Sequence, residues 1–370
     1  MLLVLAALAL ALATSAAAQQ LPDTVEWSVT SAAPPAGAPV MAGTSVVVPL
    51  STGIIAAHAV RDGALLWSTE LRAEQSLAAD GERVYVASGE AIHALSAANG
   101  QVAWRVPTGT RPTAPPLAHA GWVIAVAGGE LIAIRASDGT VVWRRHVGPV
   151  EFRPSLDGEQ LVVSIVDGQV AALDLRDGSP RWTTRLGASP SEPLVIGGRV
   201  YVGTKDRYFY SLRSSSGRIV DHKRVAAELM GRVAVTEQHV FFAALDNTIN
   251  ALLRRDGAVR WHQGMMYRPG AGPVVLGDLV IVPGYVEAPL PVFSATTGAA
   301  AGTVSFGALL VALPLFTKLP DGRDGAIGIT GGLENKWMVT LQVPSVVPPI
   351  AVQPLTVLPG VAVVILPPGL

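Results

Sequence analysis

The chain has 370 residues, half of them apolar and 15% charged, with 27 Lys and Arg against 28 Asp and Glu. The resulting net charge of −1 argues against a nucleic-acid-binding protein, which needs a surplus of cations to neutralise phosphates. Because the chain has no cysteine, disulfides, thiolate metal sites and a cysteine-linked lipid anchor are excluded, and we expect no lipoprotein. The seven histidines are isolated from one another, so we also expect no metal site.

The first eighteen residues have the pattern of an export signal. Residues 2–13 form an uninterrupted apolar run, and small residues follow it up to Ala18. We predict a signal peptide over residues 1–18, cleaved before Gln19. Because the apolar run is shorter than the ~20 residues that cross a bilayer, we expect no transmembrane span in the mature chain. Export without cysteines favours a bacterial periplasm, with secretion as the alternative.

A repeat of about forty residues organises the rest of the chain. Its seven copies align on a turn glycine, at intervals of 37 to 41 residues: Gly63, Gly100, Gly139, Gly178, Gly217, Gly257 and Gly298. In five copies a Trp follows four residues later: Trp67, Trp104, Trp143, Trp182 and Trp261. Asp221 and Gly302 take this place in the other two copies. We predict that the Trp rings lie between neighbouring units, and that the packing is looser where the Trp is missing.

Each unit contains four short strand-like segments. A run rich in β-branched and aromatic residues, such as 83–88, is followed by a second strand, an Asp-Gly or Asn-Gly turn and a third strand. A link rich in Pro and Gly leads to an inner strand. Asp-Gly predicts a type I′ turn, in which both central residues have positive φ. Four strands per ~40–45 residues is the period of a β-propeller blade.

The two ends of the chain are predicted to meet in one composite blade. Trp27 lies forty residues before Trp67 and has no repeat unit of its own ahead of it. We predict that its strand is the outer strand of the last blade, beside segments 309–316, 326–331 and 336–343, because this closure hides exposed sheet edges. The prediction is an all-β propeller over residues 19–343, with eight four-stranded blades, or seven because the final unit conforms poorly. Residues 344–370, apolar and with seven prolines, are expected to pack on the propeller or on a partner.

Charged side chains cluster in the segments expected to connect strands at one end of the blades. They lie in turns between the first and second strands of the units and in the links: Arg111, Arg153, Lys205, Asp206, Arg207, Asp246 and Arg268. Phe152, Tyr208 and Tyr267 stand among them. Two interpretations stay open, a solvated polar rim and a partner-docking patch anchored by Arg and aromatic side chains. We assign no catalytic, cofactor-binding or metal-binding residue.

The repeat pattern resembles that of a known family. Ala172, Asp174, Gly178 and Trp182 match the tryptophan-docking repeat of pyrroloquinoline-quinone-type propellers in full. The resemblance extends over roughly residues 25–343 and implies the propeller fold. Other strong copies keep the Ala, Gly and Trp but lack the Asp.

Two branches of this family imply different functions. Similarity to the propeller of the outer-membrane barrel-assembly machinery implies a non-enzymatic, monomeric scaffold for envelope proteins, without a cofactor. Such a scaffold presents its loop face or accepts a partner strand at a blade edge. The quinoprotein dehydrogenases imply instead an oxidoreductase with pyrroloquinoline quinone and Ca²⁺ on the propeller axis. They are usually longer, and many carry a disulfide that this chain lacks. We predict the scaffold and keep the quinoprotein oxidoreductase as the alternative.

Overall fold

The structure is a computed structural model that describes residues 23–331 and 337–344. In this part of the chain all regular secondary structure is β. The predicted signal peptide and residues 345–370 lie outside the described residues. Within the described ranges, no helix is long and apolar enough to cross a membrane.

The strands form eight sheets, which we call blades. The chain begins with β1 (Asp23–Ser31), which pairs with the last strand rather than with its neighbour in sequence. Blade 1 contains β2 (Val40–Ala42), β3 (Ser45–Pro49), β4 (Ile54–Ala59) and β5 (Leu65–Glu70). Blade 2 contains β6 (Ala78–Ala79), β7 (Arg83–Ser88), β8 (Ala91–Ser96) and β9 (Val102–Pro107). Blade 3 contains β10 (Leu117–His119), β11 (Trp122–Ala127), β12 (Glu130–Arg135) and β13 (Val141–His146).

The next four blades repeat this order. Blade 4 contains β14 (Ser155–Asp157), β15 (Gln160–Ile165), β16 (Gln169–Asp174) and β17 (Pro180–Arg185). Blade 5 contains β18 (Leu194–Ile196), β19 (Arg199–Thr204), β20 (Tyr208–Arg213) and β21 (Ile219–Arg224). Blade 6 contains β22 (Leu229–Val235), β23 (His239–Ala244), β24 (Thr248–Leu253) and β25 (Val259–Gly264). Blade 7 contains β26 (Val274–Leu276), β27 (Leu279–Ile281), β28 (Leu290–Ser294) and β29 (Ala300–Val304).

Blade 8 joins the two ends of the chain. It contains β1 together with β30 (Leu309–Leu310), β31 (Leu315–Lys318), β32 (Asp324–Gly331) and β33 (Trp337–Pro344). β1 pairs antiparallel with β33, with Asp23 opposite Pro344 and Ser31 opposite Trp337. The predicted closure and the eight blades are confirmed, and the seven-bladed alternative is wrong. The inner strand, predicted as one run over 309–316, consists of two short strands that both pair with β32.

The Trp side chains pack between blades as predicted. The Trp67 ring lies on Gly100 of the next blade, and its Nε1 donates to the Ala97 carbonyl oxygen at 2.8 Å. The same contact holds Trp27, Trp104, Trp143, Trp182 and Trp261 on Gly63, Gly139, Gly178, Gly217 and Gly298. A Cβ at any of these glycines would come closer than 3.0 Å to the ring. The repeat therefore requires both residues of each pair.

The turn at the repeat glycine differs from the predicted type I′ hairpin. Gly63 has a φ of +73°, but Asp62 before it does not share the positive φ. The Gly63 amide donates to the Ala59 carbonyl at 2.8 Å, and the Asp62 carboxylate accepts from the Ala64 amide at 3.1 Å. Because the Asp side chain closes the turn, only the glycine has to adopt a left-handed conformation.

The strand order defines two ends of the propeller. Since neighbouring strands are antiparallel, the turns between second and third strands and the links between blades emerge at the same end. We call this end the loop face; its links comprise residues 32–39, 71–77, 108–116, 147–154, 186–193, 225–228, 265–273 and 305–308. The opposite end, which carries the repeat glycines, is the glycine face. Each blade is built from its inner strand outwards, so the strand predicted as first in a unit is second in its blade.

Candidate partner-binding face

All seven residues of the predicted rim lie at the loop face. Three occupy links, and four occupy turns between second and third strands of blades 5 and 6. Six of the seven are exposed: Arg111, Lys205, Asp206, Arg207, Asp246 and Arg268. Arg153 is half-buried and lies towards the propeller axis. The structure thus separates one residue of the set from the other six.

The acidic residues of the rim are engaged in their own turns. Asp206 accepts a hydrogen bond from Thr204 Oγ1 at 2.5 Å, and Asp246 accepts one from Thr248 Oγ1 at 2.7 Å. Arg207 holds its turn in a left-handed conformation, with a φ of +66°. The Lys205 and Arg207 side chains project from this turn and are exposed. The blade 5 turn therefore presents positive charge.

Arg153 belongs to a group of charged residues near the axis. Its Nη2 donates to the carbonyl of Leu77, in the link that enters blade 2, at 3.1 Å. Burial lowers the pKa of Arg153, and nearby Glu192 opposes that shift. Burial also raises the pKa of Glu192, while Arg232 and Arg153 lower it. The Arg153 Nε is buried and makes no hydrogen bond within the described residues.

This axial group does not suit the calcium and quinone site of the dehydrogenases. Calcium takes six to eight oxygen ligands, commonly from several carboxylates. Here one carboxylate, Glu192, lies beside the guanidinium groups of Arg153 and Arg232, whose charges oppose a divalent cation. Over residues 23–331 and 337–344, no group of three or more His, Asp or Glu side chains is arranged to hold a metal ion.

Three exposed apolar side chains lie on the loop face in blades 6, 7 and 8, and nothing in the sequence distinguishes them. Met266 is fully exposed in the link between blades 6 and 7, Tyr285 is 58% exposed in blade 7, and Leu309 is 47% exposed in blade 8. Backbone hydrogen bonds from Gly270 to Pro283 and from Leu310 to Val286 hold these segments together. We call Met266, Tyr285 and Leu309 the apolar patch. Arg268 lies in the same link as Met266.

The aromatic anchors expected from the sequence are less exposed than this patch. Phe152, Tyr208 and Tyr267 are all half-buried. The Tyr267 hydroxyl donates to the Val282 carbonyl oxygen at 2.6 Å, and burial raises its pKa. Met266 and Tyr267 are neighbours in one link, so composition alone could not tell which side chain points outwards. Tyr285 lies in a turn of mostly small and apolar residues, where no sequence pattern indicates its exposure.

Eight closed blades with tryptophans docked on glycines define a β-propeller of the pyrroloquinoline-quinone-like class. The family model described as outer membrane protein assembly factor BamB matches residues 17–92, 87–196 and 166–301. This chain therefore belongs to the BamB family. Among curated proteins, none is significantly similar in sequence.

Solved structures share the fold at low sequence identity. BamB from Moraxella catarrhalis has a TM-score of 0.66 and 18% identity, covering 87% of this chain and 97% of that one. The computationally designed Ika8 protein has a TM-score of 0.72 and 13% identity, covering 86% and 99%. Quinohemoprotein alcohol dehydrogenase from Comamonas testosteroni has a TM-score of 0.69 and 14% identity, covering 87% and 76%. Likeness at such identities shows the propeller fold alone.

Proposed function

We propose that this protein is a non-enzymatic scaffold of the bacterial cell envelope. Its loop face docks a component of the machinery that assembles outer-membrane proteins. The observation that carries the proposal is the apolar patch of Met266, Tyr285 and Leu309, which lies in the same region as Arg268. The BamB family membership supports the nature of the partner.

The composition of the patch favours a protein partner. Tyr, Met and Arg are enriched at protein interfaces, and Tyr and Arg are frequent where the binding energy is concentrated. Exposed apolar side chains gathered in one place are typical of an interaction site. We therefore expect Tyr285 and Met266 to be buried in the complex, with Arg268 at its edge.

Positive charge on the same face favours an acidic region of the partner. Lys205 and Arg207 project from the blade 5 turn, and Arg111 is exposed in the link before blade 3. Charges at the edge of an interface accelerate association more than they strengthen the final complex. These residues therefore guide the partner, while the apolar patch holds it.

We expect the mature chain to act in the periplasm as a monomer without a lipid anchor. The signal-like residues 1–18 direct export, and the chain has no cysteine to carry a lipid. Docking to a membrane-bound partner then keeps the scaffold at the outer membrane. The guanidinium groups beside Glu192 oppose a calcium ion, which supports a scaffold that works without a quinone cofactor.

Binding of the purified mature chain to the periplasmic domains of its own organism's assembly machinery tests this proposal. We expect Met266→Glu and Tyr285→Ala each to weaken binding at least tenfold in calorimetry. Val102→Glu is the matched control, because Val102 is 53% exposed but lies on the outer strand of blade 2. Equal losses from the control, or no loss from either patch variant, contradict the proposed surface. Tight Ca²⁺-dependent binding of pyrroloquinoline quinone contradicts the non-enzymatic role.

A further inference from the structure

The interface between blades 5 and 6 lacks the docked Trp but keeps the rest of the docking site. The carboxylate of Asp221 lies over Gly257, where six of the other interfaces place an indole ring. Gly257 has a φ of +68°, as the other repeat glycines do. Lys223 Nζ donates to the Gly257 carbonyl, the bond that Thr184 makes to Gly217 in the preceding interface. Asp221 therefore takes the place of the Trp ring, while the surface around Gly257 that would receive a ring is kept.

Two hydrogen bonds of the neighbouring interface have no counterpart here. Between blades 4 and 5, the Ser214 carbonyl accepts from Trp182 Nε1 and Gln160 Nε2, each at 2.5 Å. The equivalent carbonyl in blade 6 belongs to Arg254. Arg199 occupies the strand position of Gln160. No donor within the described residues reaches the Arg254 carbonyl.

Unpartnered polar groups surround a cavity at this place. The cavity has a volume of about 180 Å³ and is lined by Arg199, Val220, Asp221, Leu253 and Arg254. Asp221 Oδ2 is buried and makes no hydrogen bond within the described residues. The Arg199 side chain forms neither a hydrogen bond nor an ion pair with any described residue. Buried polar groups without partners are destabilising, so this arrangement favours a bound ligand.

The charges around the cavity select the kind of ligand. A simple cation would meet the guanidinium groups of Arg199, Arg254 and Arg255. A simple anion would face the carboxylates of Asp221 and Asp256. A ligand with an N–H donor at one end and a negative charge at the other satisfies both sides. The volume is several times the ~30 Å³ that one water molecule occupies in the liquid.

We propose that this cavity binds a small zwitterion of the α-amino acid type. Its ammonium group donates to the Asp221 carboxylate and to the Arg254 carbonyl, and its carboxylate pairs with Arg199. The side chain contacts the apolar surface of Val220 and Leu253. The cavity opens between the blades on the glycine face, away from the apolar patch, so the proposal is independent of the scaffold function.

Calorimetric titration of the purified mature chain with each of the twenty amino acids tests the site. Methylamine and acetate serve as probes that carry only the positive or only the negative group. We expect at least one amino acid to bind while neither probe does. Asp221→Asn and Arg199→Gln should each weaken that binding at least tenfold. Asp138→Asn is the control, because Asp138 occupies an exposed turn of blade 3.

A cavity-filling variant keeps the test decisive if removal of a charge impairs folding. Asp221→Trp restores the ring of the other interfaces and should abolish amino-acid binding while raising the melting temperature. Failure of all twenty amino acids to bind overturns the proposal. So does methylamine binding as tight as that of the best amino acid, or undiminished binding to the Asp221→Trp variant.

Discussion

The two halves of the propeller follow the repeat to different degrees. From the blade 8–blade 1 interface to the blade 4–blade 5 interface, five successive contacts dock a Trp on a glycine. In the remaining three, Asp221 and Gly302 replace two of the tryptophans. At Gly302 the side chains of Val292, Leu310 and Phe316 pack in one hydrophobic cluster instead. The apolar patch and the Asp221 cavity both lie in this second half.

This difference separates the contacts that stabilise the closed ring of blades from the surfaces that are open to binding partners. Identical Trp–Gly contacts join successive blades in the regular half, and each buries an aromatic ring and satisfies its N–H group. Where Asp221 replaces the Trp, a buried polar atom lacks a hydrogen-bond partner within the described residues. We infer that stability is concentrated in the regular half and binding in the irregular half.

Removal of a docked Trp should have the largest effect on stability. Trp67→Ala deletes a buried ring and its hydrogen bond to Ala97, which should cost about 3–5 kcal/mol of unfolding free energy. Trp122→Ala is the matched control, since Trp122 is half-buried and lies in a second strand outside the docking position. Urea unfolding of both variants measures the difference. Equal losses would contradict the special role of the docked ring.

The repeat glycines should differ between the two halves. Gly100→Ala forces a Cβ into the Trp67 ring and strains a φ of +71°, for a total cost of ~2–5 kcal/mol. Gly257→Ala should cost only the ~1–2 kcal/mol of backbone strain. At Gly257 the obstacle is the Asp221 carboxylate, which can rotate away. The unfolding midpoints of the two glycine variants measure these costs. A larger loss of stability from Gly257→Ala than from Gly100→Ala would contradict the comparison.

Restoring the missing Trp should stabilise the interface between blades 5 and 6. Asp221→Trp is expected to raise the free energy of unfolding by roughly 1–3 kcal/mol, because it buries an aromatic ring against Gly257. Asp221→Ala, which removes the charge without filling the cavity, is its control. A Trp variant less stable than the Ala variant would show that the blade 5–blade 6 surface no longer accepts a ring.

The smallest effect on stability should come from Asp174, which belongs to the one repeat copy that matches the family motif in full. Hydrogen bonds from Arg176 and Arg181 hold the pKa of Asp174 well below its usual value of 3.8. Its contribution to stability is therefore present above about pH 4 and is lost as the pH falls below 3.8 towards the pKa of the folded state. Asp174→Asn should lower stability at pH 7 but make little difference at the acid end.

A partner variant checks the origin of this pH dependence. Arg181→Gln removes the hydrogen bond of 2.7 Å to Asp174 Oδ2, so it should reduce the acid sensitivity without eliminating it. Urea unfolding at pH 7 and pH 3 measures both variants. A stability difference between wild type and Asp174→Asn that stays constant with pH would contradict the assigned role.

The fold was predictable from sequence because its determinants recur at a fixed interval. Glycine and Trp at constant spacing predicted the blades and their contacts, and the isolated Trp27 predicted how the ring closes. The turn type was predicted wrongly, since the Asp62 side chain closes the turn and relieves its own backbone of a positive φ.

The candidate sites were less accessible to sequence reasoning because they depend on contacts between distant segments. Arg153 was predicted at the rim, but a hydrogen bond to Leu77, in another link, draws it towards the axis. The exposure of Met266 and Tyr285 is set by how the links of blades 6, 7 and 8 pack together. Asp221 was recognised as a missing Trp, whereas the unpartnered groups around it appear only in three dimensions.

Site-specific photo-crosslinking in living cells tests the central claim most directly. A photoreactive amino acid at Tyr285 probes the apolar patch, and one at Val102 probes an equally exposed apolar position in the regular half. We predict a covalent adduct with a component of the outer-membrane assembly machinery from position 285 and none from position 102. An adduct from position 102 alone would contradict the assignment of binding to the irregular half. So would the absence of an adduct from position 285 in cells that assemble outer-membrane proteins normally.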